Sequence, residues 1–150
     1  MLKTEMSAAR IKLTGDEMKC IALFESITGA TAKDCLIDEK GERIIFLAKQ
    51  GEMGLAIGRA GKNIQTLRKM TGRQVEVVEQ ADTPEQLIRN ALAPAKVREI
   101  RVTEKPERKI VVVEVEPRDK ALAIGKNGRT IDKTRMLAKR YFQVDHVIVT

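Results

Sequence analysis

The spacing of apolar residues in the first half of the chain changes several times, and each spacing predicts a different element. Cys20, Phe24 and Ile27 recur at helical intervals, which predicts an amphipathic helix. Cys35 and Ile37 alternate with polar or smaller residues, and a continuous apolar stretch follows the turn residues Lys40-Gly41, which predicts two antiparallel strands. The predicted elements are a helix at 16–28, strands around 35–37 and at 44–48, helices at 53–57 and 62–70, and a strand at 74–79.

The second half of the chain repeats this order of elements. Thr83-Pro84-Glu85-Gln86 has a hydroxyl cap, a proline at the first helical position and a glutamine that closes a capping box. Residues 1–9 have no periodic pattern and are expected to be disordered. We therefore predict an α+β chain with two domains, 1–80 and 81–150. The predicted elements of the second domain are helices at 84–92, 118–124 and 129–140, and strands at 97–104, 109–116 and 143–149.

An internal repeat explains why the two halves are alike. Residues 44–83 align with residues 111–150 without a gap, and ten of the forty positions are identical, whereas chance would give roughly two or three. This indicates duplication of one small unit. The identical pairs are Leu55/Leu122, Ala56/Ala123, Ile57/Ile124, Gly58/Gly125, Gly61/Gly128, Ile64/Ile131, Arg68/Arg135, Arg73/Arg140, Val77/Val144 and Thr83/Thr150.

Positive charge is concentrated in matching places of the two repeats. The chain has 28 Lys plus Arg against 21 Asp plus Glu, a net charge of +7. Residues 58–73 contain five bases and no acid, and residues 126–140 contain six bases and one acid. A single basic run is usually a solvated helix face. Two matched runs favour a polyanion, because clustered cations release its counterions, so nucleic acid is the leading partner and an acidic membrane the weaker one.

A Gly-x-x-Gly loop, 58–61 or 125–128, lies at the start of each basic run. The flanking sequence LAIG-x-x-G-x-x-I occurs twice, each time between two predicted helices. Two glycines remove side chains that would hold a phosphate backbone away, and the next helix presents free N–H groups at its positive end. The alternative is a plain turn that needs positive φ. The repetition with bases in and after both loops favours a pair of phosphate sites.

The order of elements and this loop signature resemble the K-homology (KH) domain in its type II arrangement. The resemblance implies two tandem domains of order α-β-β-α-α-β, each with a three-stranded sheet and helices packed on one face. KH domains clamp about four nucleotides of single-stranded nucleic acid with this loop. The resemblance also implies that bases lie along an aliphatic groove beside the loop, although packing in the core is an equal alternative for the isoleucines. The implied RNA-binding residues are Ile57, Gly58, Arg59, Ala60, Gly61, Lys62, Asn63 and Ile64, and Ile124, Gly125, Lys126, Asn127, Gly128, Arg129 and Ile131.

Two type II KH units joined almost directly are similar to the archaeal NusA family of transcription termination/antitermination proteins. The resemblance covers about residues 10–150, and bacterial members have additional domains that are missing here. It implies single-stranded RNA as the partner, either nascent transcript or ribosomal RNA, with RNA polymerase as a further candidate. A cytoplasmic monomer without a membrane partner is expected. The alternatives are a ribosome-associated or RNA-processing KH protein, and a polymerase-binding module with weak RNA binding.

The sequence does not favour an enzyme. Gly61-Lys62-Asn63 lacks both the earlier glycine and the hydroxyl residue of a nucleotide-binding P-loop, and no pairing of a nucleophile with a base is evident. The two cysteines, Cys20 and Cys35, are expected to be small buried residues, and His146 is expected to be a structural residue beside core positions. We therefore expect no catalytic residue, no metal site and no cofactor.

Overall fold

The computed structural model describes residues 15–150, so the expected disorder of residues 1–9 lies outside the described part. The described residues form two compact units, one ending at Gln80 and the other beginning at Ala81. Each unit is α+β and contains one three-stranded sheet, which confirms the predicted fold class. None of the helices within residues 15–150 has the length and apolar character that crossing a membrane requires.

The first unit has the predicted order of elements. Its sheet has the order β1-β2-β3, with β1 antiparallel and β3 parallel to the central strand β2. A parallel neighbour requires a crossover connection, and α2, the Gly-x-x-Gly loop and α3 supply it. The elements are α1 (Gly15–Thr28), β1 (Ala32–Asp38), β2 (Arg43–Ala48), α2 (Met53–Ile57), a 3-10 turn (Arg59–Gly61), α3 (Lys62–Thr71) and β3 (Gln74–Glu79).

The core of the first unit lies between its sheet and its helices. Phe24 of α1 stacks on Phe46 of β2 with ring centroids 4.5 Å apart. Leu67 of α3 and Ala56 of α2 are fully buried in the same cluster. Cys35 is fully buried there and Cys20 partly buried, close to what the sequence predicts. The apolar face of each helix thus fixes the two ends of the Gly-x-x-Gly loop on the sheet.

The second unit repeats the arrangement. Its sheet has the order β4-β5-β6, with β6 parallel to the central strand β5. Its core is built from four different elements, which contribute the buried residues Ile88, Val113, Ala123 and Leu137. The elements are α4 (Pro84–Leu92), β4 (Val97–Lys105), β5 (Arg108–Val115), a 3-10 turn (Pro117–Asp119), α5 (Lys120–Ile124), a second 3-10 turn (Lys126–Gly128), α6 (Arg129–Phe142) and β6 (His146–Val149).

Equivalent residues of the two units are 67 apart as far as the loop, but further apart after it. Phe46 pairs with Val77, but its counterpart Val113 pairs with Val149 rather than Val144. The ungapped alignment of Val77 with Val144 therefore does not match residues at equivalent positions in the two sheets. The partner of the central strand is thus offset by 72 residues instead of 67. Four of these five extra residues lie in the helix, because α6 has 14 residues and α3 has 10, and the fifth lies in the connection to the strand, 143–145 against 72–73. For the same reason the last strand begins at 146 instead of the predicted 143.

His146 lies beside core positions, as expected, because Val144 and Val147 are buried. Its own side chain is exposed at the start of β6. The alternation of the strand explains this, since Val147 is buried and its neighbours His146 and Ile148 are exposed. The structural role of His146 stays a prediction.

Candidate nucleic-acid interface

The two Gly-x-x-Gly loops have the same backbone conformation. In each, the first, third and fourth residues have positive φ, with values between 54° and 80°. The third residue is Ala60 in one loop and Asn127 in the other, and asparagine tolerates this region better than alanine does. The loop is therefore a defined turn, built identically in both units by Gly58, Ala60 and Gly61 and by Gly125, Asn127 and Gly128.

The first glycine of each loop is required by a close approach. A Cβ placed on Gly58 would lie 3.0 Å from the backbone nitrogen of Asn63 and 2.8 Å from its side-chain nitrogen. A Cβ on Gly125 would lie 2.7 Å from the backbone nitrogen of Thr130. Helix α3 or α6 therefore begins directly against this glycine, and any larger residue would displace the helix.

The second glycine has the opposite surroundings. A Cβ on Gly61 would meet nothing within 4 Å, and one on Gly128 would meet only side-chain atoms at 3.7 Å or more. Both residues precede a helix whose start has no side-chain cap. The first N–H groups of α3 and α6 therefore lack a capping side chain and adjoin open space, which suits a phosphate.

A carboxylate fixes the start of each short helix that leads into the loop. Glu52, just before α2, accepts a 2.7 Å hydrogen bond from the backbone N–H of Thr31. Asp119, just before α5, accepts one of 2.9 Å from the backbone N–H of Lys96. The same device therefore ties each short helix to the loop before the first strand of its sheet.

The loop cations are available to a ligand. Arg59, Lys62 and Lys126 are exposed, and none of the three forms an ion pair with any of residues 15–150. Arg129 is half-buried and has an interaction within the chain, and Asn127 is exposed. Unpaired exposed cations attract a polyanion without first having to break an internal ion pair.

Exposed aliphatic side chains lie beside both loops. Ile57 and Ile124 expose 39% and 37% of their surface, and Leu55 and Leu122 expose 52% and 47%. The alanine between them, Ala56 or Ala123, is fully buried. An exposed pair of large aliphatics repeated at equivalent positions is typical of an interaction surface rather than of scattered surface residues.

The other two predicted isoleucines point elsewhere. Ile64 is partly buried against the core of the first unit, and Ile131 is 5% exposed within the core of the second. The resemblance implied the groove for both, with core packing as an equal alternative, and the core alternative is the one that fits. The sequence did not single out Leu55 and Leu122. Their identity in the two repeats was the available signal, but a five-residue helix is too short for periodicity to show which side faces the core.

Two families match nearly the whole chain. Residues 20–83 match the family described as KH domain, and residues 84–148 match the family described as NusA-like second KH domain. Each match contains one of the two loops. The comparison therefore assigns one KH domain to each unit of the fold.

Relatives and a solved structure cover most of the chain. Probable transcription termination protein NusA of Halococcus morrhuae is 40% identical over 138 residues, 92% of this chain and 97% of that protein. The protein of the same name from Methanocaldococcus jannaschii is 27% identical and covers 94% of this chain and 76% of that protein. The crystal structure of APE1850 matches with a TM-score of 0.84 and 39% identity over 92% of this chain and 100% of that one.

Proposed function

This chain belongs to the NusA family of tandem KH-domain proteins, and from that premise we propose that it binds single-stranded RNA and acts in transcription termination or antitermination. One observation carries the proposal. Two loops of identical backbone conformation each place exposed cations and exposed aliphatic side chains beside an uncapped helix start.

Each loop would hold the RNA backbone and leave the bases to the neighbouring surface. A phosphate fits the open space at Gly61 or Gly128, where the next helix begins without a side-chain cap. An exposed lysine is close in the chain in both units, since Lys62 follows Gly61 and Lys126 lies two residues before Gly128. Leu55 with Ile57, and the matching pair in the second unit, supply apolar surface for an unstacked base. The mechanism is binding without bond cleavage.

The domains act as separate RNA-binding units in this proposal, one within residues 1–80 and one within residues 81–150. A KH loop clamps about four nucleotides, so two units account for about eight. Nascent transcript is the RNA that the family names favour, and RNA polymerase is the protein partner they suggest. We propose a cytoplasmic monomer. Crosslinking of bound RNA in cells, followed by sequencing, separates nascent transcripts from ribosomal RNA.

Charge reversal in the loops tests the proposal directly. The variants are Arg59→Asp with Lys62→Asp in one loop, and Lys126→Asp with Asn127→Asp in the other. Affinity for an oligonucleotide of about eight nucleotides should fall at least tenfold. The slope of log affinity against log salt concentration should become shallower by roughly 0.7 for each phosphate that the variant no longer neutralises. Fluorescence anisotropy at several salt concentrations measures both.

The matched control reverses two exposed lysines of the first unit away from the loop, Lys33→Asp with Lys40→Asp. This control changes the net charge as much as the first-loop variant does and should change the affinity much less. If the loop variants bind within twofold of the unmodified protein, or no more weakly than the control, the assignment of the loops is wrong.

A further inference from the structure

The two cysteines of the chain are in contact within the first unit. Cys20 is on α1 and Cys35 is on β1, and the two elements pack against each other. The Cys35 thiol donates a hydrogen bond to the sulfur of Cys20. Cys35 is part of the buried apolar cluster of this unit, and Cys20 packs against the same cluster. We call these two side chains the thiol pair.

A neighbouring aromatic pair fixes the spacing of the thiol pair. Cys20 precedes Phe24 by four residues and therefore lies one turn away on the same face of α1. Cys35 lies directly opposite Phe46 in the antiparallel register of β1 and β2. Phe24 stacks on Phe46 with ring centroids 4.5 Å apart. The stack holds helix and strand together beside the sulfurs, so the thiol contact is a built part of the core.

The two thiols differ in their access to solvent. Cys35 has no exposed surface, whereas Cys20 is only partly buried. A reagent in solution therefore approaches Cys20 and does not reach Cys35.

The two thiols also differ in acidity. Burial raises the pKa of both thiols above the ordinary value. At Cys20 the hydrogen bond from Cys35 and the charge of Arg73 oppose this rise in pKa, because each stabilises the thiolate. At Cys35 the Cys20 thiol and the carboxylates of Glu17 and Asp34 raise the pKa further. Cys20 is therefore the thiol that ionises first.

We propose that Cys20 and Cys35 are a redox-active pair that low-molecular-weight disulfides convert to an intramolecular disulfide. The Cys20 thiolate attacks one sulfur of the reagent, forms a mixed disulfide and expels a thiolate, which takes up the proton that Cys20 had lost. The Cys35 thiol then loses its proton and attacks the Cys20 sulfur. This step expels a second thiolate, which takes up that proton. Two protein thiols are oxidised, and one disulfide is reduced to two thiols.

The bond acts on the first unit alone, because the second unit contains no cysteine. Cys20 and Cys35 are 15 residues apart, and closing a loop of this length restricts the unfolded chain. The bond joins α1 to the sheet, and α1 also packs on α2 and α3, which flank the first Gly-x-x-Gly loop. Oxidation therefore stabilises the unit that holds this loop. Disulfides in a reducing compartment are usually transient and redox-sensing, which makes the first unit the one that responds to oxidation.

Titration of the reduced full chain with oxidised glutathione tests the proposal. The folded chain should lose both thiols together, and its intact mass should fall by two hydrogen atoms with no glutathione retained. The midpoint of thermal unfolding should rise by at least about 5 °C, and a thiol reductant should restore the original mass and midpoint. Thiol counting, mass spectrometry and calorimetry measure these changes.

Single variants separate the roles of the two thiols. Cys35→Ala should stop at a mixed disulfide between Cys20 and glutathione, because no second thiol is present to displace the glutathione. Cys35→Val fills the same core position if the alanine variant does not fold. Cys20→Ala is the matched control and should stay unmodified, because Cys35 is buried.

Several outcomes would overturn the proposal. These are a stable mixed disulfide on the unmodified chain, a disulfide between two chains, two unreacted thiols, or glutathione bound to the Cys20→Ala variant. A midpoint of unfolding that does not rise on oxidation would do the same, since the fold would then not favour the bond. The proposal goes beyond RNA binding, and its failure would leave the proposed function of the loops untouched.

Discussion

The Asn63 side-chain amide donates a 2.8 Å hydrogen bond to the backbone carbonyl of Leu55. The bond joins the start of α3 to α2 across the first loop, and Asn63 also packs under Gly58. Thr130 takes the equivalent place under Gly125. The two helices that flank the first loop are therefore joined by a side chain as well as by the loop itself.

Replacement of this side chain should loosen the first loop. Asn63→Ala removes a neutral hydrogen bond, and we expect the free energy of unfolding to fall by about 1 kcal/mol. RNA affinity should fall because the loop is less well defined before binding. Denaturant titration and anisotropy measure the two effects. Thr130→Ala in the second unit is the comparison, and an Asn63→Ala variant with unchanged stability and affinity would show that the bond has no role.

Ala60 has a φ of 54°, which costs a residue with a Cβ roughly 1 kcal/mol. Ala60→Gly should therefore raise the free energy of unfolding by up to about 1 kcal/mol, less the added entropy of glycine in the unfolded chain. Asn127→Gly is the matched control and should gain less, because asparagine tolerates this conformation. A destabilised Ala60→Gly variant in urea titration would contradict the assigned backbone conformation.

Arg43 is almost fully buried at the start of β2, with 1% of its surface exposed. Its guanidinium lies 2.8 Å from Asp38 and 2.9 Å from Glu76. Arg43→Ala would leave two partly buried carboxylates without this partner, and we expect a loss of about 3 kcal/mol in the free energy of unfolding.

The control for Arg43 is an exposed ion pair in the same unit. Arg73 lies 3.4 Å from Glu39, whose side chain is 78% exposed. Arg73→Ala should cost less than about 1 kcal/mol. Equal losses in the two variants, measured by urea titration, would mean that the burial of Arg43 adds nothing to its role.

Asp145 accepts a 2.9 Å hydrogen bond from the backbone N–H of Lys109, and this bond lowers the pKa of its carboxyl below the ordinary value. Lys139, 3.6 Å away, and His146 act in the same direction. A lowered folded-state pKa stabilises the fold above the unfolded value of 3.8, and the contribution is lost as the pH falls through the folded value.

Asp145→Asn should therefore be less stable than the unmodified protein at pH 7, and the difference should shrink as the pH falls below about 4. Thermal unfolding at pH 7, 5 and 3 measures the difference. Asp132→Asn, an exposed carboxylate on the same unit, is the comparison. A difference that stays constant from pH 7 to pH 3 would contradict the lowered pKa.

The sequence predicted the features that residues close together in the chain determine. The order of elements and the position of both loops were predicted because capping residues, helical periodicity and paired glycines act over a few residues. The ends of elements were less predictable. Helix α6 ends where Gln143 takes the left-handed conformation with a φ of 54°, and no glycine marks that position in the sequence.

Burial was predictable only where a long amphipathic pattern existed. The sequence left Ile131 open between the ligand surface and the core, and it lies in the core, whereas Leu122 was not singled out and lies exposed. Arg43 could not be predicted as buried, because charged residues are almost never buried unless partners exist. Its partner Glu76 is 33 residues away, so tertiary structure alone brings the two together.

The change of offset between the repeats identifies where the fold accepts added chain. The second unit has five extra residues between Arg135 and Val147, four of them in α6. The loop and the first turns of the helix are nevertheless the same in both units. Arg68 and Arg135 also make the same contact, each donating a hydrogen bond to a backbone carbonyl of the last strand, that of Val75 or Val147. The second unit thus accommodates added residues at the end of this helix without a change in the loop. Gln143, which is exposed directly after α6, is consequently a place to attach a fluorophore or an affinity handle without disturbing the loop.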